Sequence, residues 1–319
     1  MYLLACSIKN EGPDILEWVA YHRAVGFDHI AIASNDCDDG CDQLIDALQV
    51  CGFVTHHPNA FGPHSMPQHA AWRRIKKQAF FANADYLMML DADEFLNVHI
   101  DDGTVQALAR ALGKHDIFTL NWAGFGPVTE KPALTSWVTE RFQLCVATNS
   151  QPNKGCKSLI RAPQRFENFH NHGPTDRKDG LATTVLRDSG AVLSISDPDE
   201  LVTKCRSVPM SQISHKIGQI NHYGTKTMPE YRLRIERGRG TQRPAADKAE
   251  RHTIDYFNAF AVTAQTDRSI ERHLPKAREI ADQLLEMDGV EDAFDTCMAL
   301  TQAKLERAKR PWDEDTFRI

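Results

Sequence analysis

YLMMLDADE, residues 86–94, is the stretch of sequence that decides the fold of this chain. Its first five residues form an unbroken apolar run, which is typical of a strand buried on both faces of a parallel sheet. Two carboxylates, Asp91 and Asp93, then stand where that strand leaves the core. Because ligands of open α/β sheets bind outside the carboxyl ends of the strands, we expect both side chains at a binding site. A close pair of carboxylates there favours a hard divalent cation shared with a phosphate, whereas an isolated pair would also suit a solvated acidic turn.

Strands and helices are predicted to alternate on either side of this stretch, and such an alternation builds a parallel sheet flanked by helices. The predicted elements are, in chain order, a strand at 3–8, a helix from Pro13, a strand at 29–34, a helix around 44–48, a strand at 53–56, a helix at 68–83, and strands at 117–122, 142–147 and 158–161. From about residue 245 the spacing of apolar residues becomes helical, and Pro275 can open a helix of its own.

Composition and charge exclude several classes of function. The 319 residues are 42% apolar and 25% charged, which is ordinary for a globular protein, and the net charge of −6 does not favour nucleic acid as a partner. No apolar run reaches the roughly 18 residues of a membrane span, and the first residues lack the basic segment of a signal peptide. The eight cysteines include no C-x-x-C pair, and a zinc site at Cys37 and Cys41 would need two more ligands. We therefore expect free thiols and a cytoplasmic location.

Four segments, taken together and in this order, resemble the GT-A fold glycosyltransferases, in particular the family 2-like group related to the family 92 enzymes. The segments are KNEGPDILEWVAYHRAVGFDHIAIASNDCDDG (9–40), LDADEFL (90–96), NWAGFG (121–126) and NHYGTKTMPEYRLRIERGRG (221–240). The resemblance implies a GT-A domain over residues 1–240, which is α/β with a Rossmann-like, mostly parallel sheet flanked by helices. Residues 241–319 are expected to form a C-terminal helical extension packed on that domain.

The activity that this resemblance implies is metal-dependent glycosyl transfer. A sugar, expected to be a hexose, would move with inversion from a nucleotide-diphosphate donor, with UDP favoured, to a hydroxyl of a glycan or another acceptor. Mn²⁺ or Mg²⁺ would neutralise the diphosphate that leaves. The match places Asp93 as a direct metal ligand and His222 as the distant ligand that completes the site, with Asp91 bound through water or to the ribose. A lone histidine such as His222 could instead be a satisfied core residue.

The donor nucleotide is expected to contact residues that follow the first two strands. Glu11 and Asp36 resemble the residues that hold nucleobase and ribose in GT-A enzymes, and Lys9 and Asn10 belong to the same polar set. Asn10 could instead cap the helix that follows.

A cluster of arginines, with glycines between them, stands out in this acidic chain. Its members are Arg232, Arg234, Arg237, Arg239 and Arg243. Arg237 and Arg239 are the candidates for a loop that closes over the diphosphate, because Arg offers forked donors to phosphate oxygens and glycine permits motion. The alternative for this run is a solvated helix end. Lys157 is a further candidate for the same contact.

Fewer motifs constrain the acceptor side. Trp122, beside a glycine-rich turn, offers an aromatic platform for a sugar, or is a core residue. An inverting transferase needs a base within hydrogen-bond reach of the acceptor hydroxyl. Asp176 is the first candidate base, followed by Glu130 and His172, and a retaining enzyme would need none. His170 and His172, one residue apart on a strand, would point the same way and could also bind a metal.

Two other functions are compatible with the sequence. A sugar nucleotidyltransferase usually begins with a glycine-rich, basic phosphate loop, and residues 8–13 contain no such loop. A non-catalytic protein that binds nucleotide or glycan would have no reason to keep Asp91, Asp93 and His222 together, so these residues favour an enzyme. The helical extension could mediate homodimerisation or peripheral contact with a membrane. Its mixed charges do not form a clean basic face, which makes the membrane the less favoured partner.

Overall fold

The computed structural model of the chain describes residues 1–62, 65–127, 134, 136–237 and 253–308. The strands in these ranges are β1 (Tyr2–Ile8), β2 (His29–Ser34), β3 (Val54–His56), β4 (Tyr86–Met89), β5 (Glu94–Val98), β6 (Ile117–Gly124), β7 (Leu144–Val146), β8 (Cys156–Arg161), β9 (Phe169–His170), β10 (Gly173–Pro174), β11 (Thr183–Arg187), β12 (Val192–Ile195), β13 (Gly218–His222) and β14 (Thr263–Thr266). The α-helices are α1 (Gly12–Ala24), α2 (Cys41–Leu48), α3 (Pro67–Ile75), α4 (Ala79–Ala82), α5 (Val105–Leu112), α6 (Val138–Arg141), α7 (Pro198–Arg206), α8 (Met228–Arg237), α9 (Ile254–Ala261), α10 (Leu274–Leu285) and α11 (Val290–Ala308). Short 3₁₀ helices lie at Gln49–Cys51, Gln151–Lys154, Pro163–Arg165, Met210–Gln212 and Ser269–His273.

One large sheet organises the fold. Its strand order is β12-β11-β6-β8-β4-β1-β2-β3, and β13 pairs with both β5 and β6. β1 runs parallel to β2 and to β4, and β2 runs parallel to β3. β8 is antiparallel to both of its neighbours, β4 and β6. The central sheet is thus mostly parallel and flanked by helices, which confirms the predicted fold class.

Helices cover both faces of the sheet, and each face has its own hydrophobic core. Successive side chains of a strand point to opposite faces. Leu4 and Cys6 of β1 therefore pack with α1 and α2, whereas Leu3 and Ala5 pack with α3 and α7. Burial on both faces is the reason why the central strands are unbroken apolar runs in the sequence.

α1 is fixed against the strand that follows the acidic motif. Pro13 lies in its first turn, where a proline loses no helical hydrogen bond. The indole N–H of Trp18 donates to the backbone oxygen of Glu94 at 2.9 Å, and the Tyr21 hydroxyl donates to that of Leu96 at 2.8 Å. Both aromatic rings are fully buried. These bonds hold β5, and with it the acidic motif, at a defined position relative to the first strand.

The single helix predicted over residues 68–83 is wrong, because the structure divides it into α3 and α4. Gln78 has an extended backbone between them, with φ −83° and ψ 149°. The break sets the direction of α4 so that Phe81 packs edge-on against Phe169, with ring centroids 5.8 Å apart. A partner so distant in sequence leaves no mark on local helical periodicity.

β5 is a strand that the apolar pattern did not predict. Glu94 and Asn97 interrupt its apolar residues, yet both side chains are fully buried. Each has polar partners from distant segments: Nδ2 of Asn97 donates to Oγ of Ser269 at 2.7 Å, and Glu94 accepts a hydrogen bond from Trp122 at 2.9 Å. Buried polar residues that have hydrogen-bond partners thus interrupt the apolar run but do not end the strand.

The C-terminal helices share the core that covers one face of the sheet. Buried residues of α10 and α11 pack there with α1 and α2; they are Leu274, Ala277, Ala281, Leu284, Val290 and Cys297. Pro275 lies in the first turn of α10, as predicted. A short strand not predicted, β14, pairs with β7. Throughout the described part of the chain, no helix combines the length and the apolar character that crossing a membrane requires.

Candidate active site

β13 brings His222 beside the acidic motif. It runs antiparallel to β5, and its last residue, His222, lies opposite Glu94. Nε2 of His222 is 3.6 Å from Oδ2 of Asp93. The backbone N–H of Tyr223 donates to the backbone oxygen of Asp93 at 2.9 Å and fixes the two segments together. The structure thus unites two of the residues that the sequence predicts to bind a metal.

Arg234 of α8 is a third member of this cluster. Its Nη1 donates to the same Oδ2 of Asp93 that faces His222. Burial raises the pKa of the Asp93 carboxyl, but the Arg234 guanidinium and then His222 lower it more, so this pKa lies well below its usual range. Burial likewise lowers the pKa of Arg234, and the charge of Asp93 more than offsets it. Asp93 is therefore ionised although its exposed fraction is only 2%.

Ring contacts, rather than a hydrogen bond, orient the imidazole of His222. It stacks on Trp122, with centroids 4.5 Å apart and planes at 24°, and Phe260 meets it edge-on at 5.7 Å. Within the described ranges its buried Nδ1 has no hydrogen-bond partner, whereas a histidine that binds metal usually donates its second N–H. A Cβ on Gly224 would lie 2.9 Å from Nε2, so only glycine fits against this nitrogen.

Asp91 belongs to a different cluster from Asp93. Lys157, a buried residue of β8, places its Nζ 3.2 Å from Oδ2 of Asp91 and 2.9 Å from Oε2 of Glu94. The predicted metal-binding set is therefore divided, because Asp93 meets His222 while Asp91 turns toward Lys157.

Lys157 is the residue whose place in the site the sequence did not reveal. The sequence offers it as a further candidate for contact with the diphosphate, and in the structure its ammonium group contacts both Asp91 and Glu94 of the acidic motif. Burial lowers the pKa of Lys157, and the carboxylates of Asp91 and Glu94 raise it by more than that. The sequence carries one sign of this role, a lysine at the start of an apolar strand. Lys157 reaches the acidic motif because β8 is inserted between β4 and β6, and no local pattern predicts that strand order.

The buried carboxyl of Glu94 predicts a pH dependence of stability. Burial, with Asp91 and Asp93 nearby and Lys157 opposing, raises its pKa from 4.5 to about 8. Between these values the folded protein keeps a proton that the unfolded chain has lost, so the free energy of unfolding falls as the pH rises. Glu94→Gln should therefore flatten this dependence from about pH 5 to pH 8, by up to about 1.4 kcal/mol per pH unit. Urea denaturation across this range measures it.

Glu17 provides the matched control. Its buried carboxyl accepts hydrogen bonds from Val138 and Thr139, and burial raises its pKa to about 7. Glu17→Gln should lessen the pH dependence between about pH 5 and pH 7 and leave the part between pH 7 and pH 8 unchanged. Superimposable pH profiles for wild type and Glu94→Gln would show that Glu94 is ionised in the folded protein across the whole range.

A cavity of about 550 Å³ lies beside the Asp93 cluster. It is bounded by the loops after β1 and β2, by α8 and by α11. The residues predicted to bind the donor that line it are Lys9, Asn10, Glu11, Asp36 and Arg237. Arg234 lines the cavity and also pairs with Asp93, so it connects the cavity to the acidic motif.

The loops after β1 and β2 are tied to each other at this cavity. Nδ2 of Asn10 donates to Oδ1 of Asp38 at 2.5 Å, and the N–H of Asp38 donates to Oδ1 of Asn10 at 2.9 Å. Asn10 therefore does not cap α1, whose N-cap is Glu11. Arg237 donates to the Glu11 carboxylate and, at 3.1 Å, to the backbone oxygen of Lys9. With a side chain only 15% exposed, Arg237 is not the solvated helix end considered above.

The hairpin of β9 and β10 brings His172 to the same end of the sheet. Nδ1 of His172 lies 2.7 Å from the backbone oxygen of Cys156, where β8 begins, and its ring centroid is 6.0 Å from that of Trp122. The Asp176 carboxylate instead accepts hydrogen bonds from Asn168 and Thr175, next to the hairpin strands. His172 is therefore the candidate base that the fold brings beside Trp122. The predicted residues that lie outside the described ranges are Glu130, Arg239 and Arg243.

All eight cysteines are free thiols in this structure. Cys37, Asp39 and Cys41 each place one ligand atom within 4.8 Å of the others, the only such group found among the described residues. Both carboxylate oxygens of Asp39 accept backbone hydrogen bonds at 3.0 Å, from Gly12 and Cys41. The turn that precedes α2 therefore accounts for this arrangement without an ion.

A polar cavity and an acidic cluster at the carboxyl ends of mostly parallel strands are typical of α/β enzymes. The model of glycosyltransferase family 92 matches residues 10–234, from the Asn10 loop to Arg234 of α8. The chain therefore belongs to glycosyltransferase family 92, which confirms the resemblance found in the sequence and supports glycosyltransferase activity.

Comparison with curated proteins finds no match. Among solved structures, HddC from Yersinia pseudotuberculosis is similar over 64% of this chain and 98% of its own, at 13% identity and a TM-score of 0.32. A candidate glucose-1-phosphate thymidylyltransferase from Bacillus anthracis, in complex with sucrose, is similar over 55% of this chain and 70% of its own, at 12% identity and a TM-score of 0.27.

Proposed function

We propose that the protein transfers a sugar from a nucleotide-diphosphate donor to a hydroxyl acceptor, with a divalent cation at Asp93 and His222. One observation carries this proposal: an ionised buried carboxylate, a histidine whose Nε2 lies 3.6 Å from it and an arginine of the cavity wall converge at the end of the central strands. A cavity of about 550 Å³ is in the range that accommodates nucleotide-sized ligands. Family membership supports the class of reaction.

The residues around Asp93 fit a divalent cation. Nε2 of His222 and Oδ2 of Asp93, 3.6 Å apart, can reach one ion, because bonds of about 2.1 Å place neighbouring ligands roughly 3–4 Å apart. Arg234 uses the same oxygen, so Arg234 and the cation are alternative counter-charges for Asp93. A diphosphate offers Arg234 a new partner, and we therefore expect cation and nucleotide to bind together. Mn²⁺ or Mg²⁺ held there would neutralise the charge of the departing diphosphate.

The basic residues of α8 are placed to hold that diphosphate. Arg234 and Arg237 are one helical turn apart and both line the cavity. Each pairs with a carboxylate, Asp93 or Glu11, and a guanidinium can exchange a carboxylate for a phosphate because both accept its forked donors. Exchange at Arg237 would also release Glu11 to accept a hydrogen bond from the nucleobase or the ribose.

Trp122 and His172 are the proposed acceptor-side residues. Trp122 is partly exposed and its ring lies near both His222 and His172. We propose His172 as the base, ahead of Asp176, because its ring lies 6.0 Å from that of Trp122, whereas the Asp176 carboxylate already accepts hydrogen bonds from Asn168 and Thr175. The UDP donor, the hexose, inversion of configuration, the cytoplasmic location and a homodimer stay predictions from the sequence.

A thermal-shift experiment tests the proposed function. A ligand that binds only the folded state stabilises it by about 2.7 kcal/mol at 100 times its Kd. We expect UDP or GDP to raise the Tm only when Mn²⁺ is present. The nucleoside without its diphosphate should give a much smaller shift, because it cannot engage Arg234 or the cation. A shift of equal size in EDTA, or in Asp93→Asn, would contradict a metal-dependent donor site.

A further inference from the structure

We propose that α11 forms one wall of the nucleotide site, and that Thr301 and Lys304 bind the nucleoside part of the donor. α11 lies beyond the residues 10–234 that match the family model, so the family does not assign this wall. The inference rests on the proposed function, because it assumes that the cavity holds a nucleoside diphosphate.

The polar face of α11 points into the cavity. Thr301, Lys304 and Arg307 follow one another at intervals of three, which places them on one side of a helix, and all three line the cavity. Lys304 forms an ion pair with Asp38, which is in turn hydrogen-bonded to Asn10. A continuous polar surface therefore runs from α11 to the loops after β2 and β1.

Two hydroxyl groups of the cavity wall have no hydrogen-bond partner among the residues that the structure describes. Oγ1 of Thr301 and Oγ1 of Thr225 are buried atoms without a hydrogen bond to any described residue. The exposed fractions of these residues are 8% and 1%, and both line the cavity. Buried hydroxyls in folded proteins are nearly always hydrogen-bonded, because an unsatisfied one costs free energy. A ligand in the cavity that carries donors and acceptors would satisfy both.

The order of contacts along the cavity indicates which part of the donor reaches α11. Arg234 stands at the Asp93 end, where the diphosphate is proposed to bind, and Arg237 follows on Glu11. Lys304 pairs with Asp38 of the loop after β2, and Thr301 lies one helical turn from Lys304 on the same cavity wall. Lys304 can donate to a base carbonyl, and a threonine hydroxyl can both donate and accept. These donors and acceptors suit a nucleoside better than a second phosphate, because the acidic loop beside them would repel a phosphate.

Packing holds α11 in this position. It contacts α1, α2 and α8. Cys297 and Leu305, one turn before and one turn after Thr301, are buried, with exposed fractions of 0% and 6%. A Cβ on Gly12 would lie 1.8 Å from Sγ of Cys297, so the start of α1 must be glycine for α11 to lie this close. The wall is thus part of the core packing.

Isothermal titration calorimetry with substituted proteins tests the inference. Thr301→Val removes only the hydroxyl, and Lys304→Met removes only the charge. With Mn²⁺ present, we expect the Kd of UDP or GDP to rise about 3–10-fold in Thr301→Val and about 10–100-fold in Lys304→Met. The Kd of inorganic pyrophosphate should stay within about twofold of wild type. Gln302→Ala, at an exposed position of the same helix, is the control and should bind as wild type does.

The outcomes separate this inference from the proposed function. Nucleotide binding at wild-type affinity in both variants would overturn the role of α11 and leave the proposed function standing. Equal weakening of nucleotide and pyrophosphate would also overturn it, because the wall would then act only through charge on the diphosphate. Wild-type protein that binds neither ligand would overturn the proposed function, and the inference with it.

Discussion

Asp93→Asn is expected to lower kcat/KM by about 10³-fold or more, with the donor that the thermal-shift experiment identifies. The amide keeps the shape of the carboxylate but removes the charge that His222 and Arg234 face. Without that charge the site holds a cation weakly, and the negative charge of the departing diphosphate is not neutralised. The measurement is the initial rate of nucleoside diphosphate release, with wild type and variant at matched Mn²⁺ concentrations.

The same substitution should also destabilise the fold, and a second variant separates the two effects. Asp93→Asn leaves the Arg234 guanidinium without its buried counter-charge, at a cost of about 3–5 kcal/mol in the free energy of unfolding. Replacing Arg234 with methionine in the same protein should restore most of that stability and none of the activity. If activity returned in the double variant, or persisted in Asp93→Asn with EDTA, Asp93 would have only a structural role.

The second large effect is expected at Lys157. Lys157→Met removes a fully buried cation that pairs with Asp91 and contacts the carboxyl group of Glu94, so the free energy of unfolding should fall by about 3–5 kcal/mol at neutral pH. Activity should fall as well, because Asp91 loses the partner that orients it at the start of the acidic motif. Urea denaturation and initial rates measure the two losses.

The pH dependence distinguishes this role of Lys157 from simple packing. Lys157 opposes the raised pKa of Glu94, so its removal should move that pKa higher still. A raised carboxyl pKa costs stability as the pH rises, and the deficit of Lys157→Met should therefore be larger at pH 8 than at pH 5. Adding Glu94→Gln should recover much of the loss at pH 8. A deficit that is independent of pH and unchanged in the double variant would mean that only the packing of the aliphatic stem matters.

The sequence by itself determined the central strands and the location of the acidic motif. β1, β2 and β4 were predictable because strands buried on both faces must be apolar throughout, and burial acts on every residue in turn. The position of Asp91 and Asp93 was predictable because the apolar run ends at Leu90 and ligands of open α/β sheets bind beyond such strand ends, whereas their roles in binding stay predictions. The positions of Pro13 and Pro275 followed from the conformation of proline alone. Strand burial, strand ends and proline positions depend on neighbouring residues, so the local sequence pattern predicts them.

Only the tertiary structure decided how the motif is used. His222 stands beside Asp93 because β13 pairs with both β5 and β6, and Lys157 lies beneath Asp91 because β8 is inserted between β4 and β6. The division of the acidic motif between a histidine–arginine cluster and a lysine cluster follows from these pairings. In the same way, α11 reaches the cavity because the C-terminal helices share the core of α1. The pairing of distant segments depends on the free energy of the whole folded chain, so the partner of a segment cannot be predicted from that segment alone.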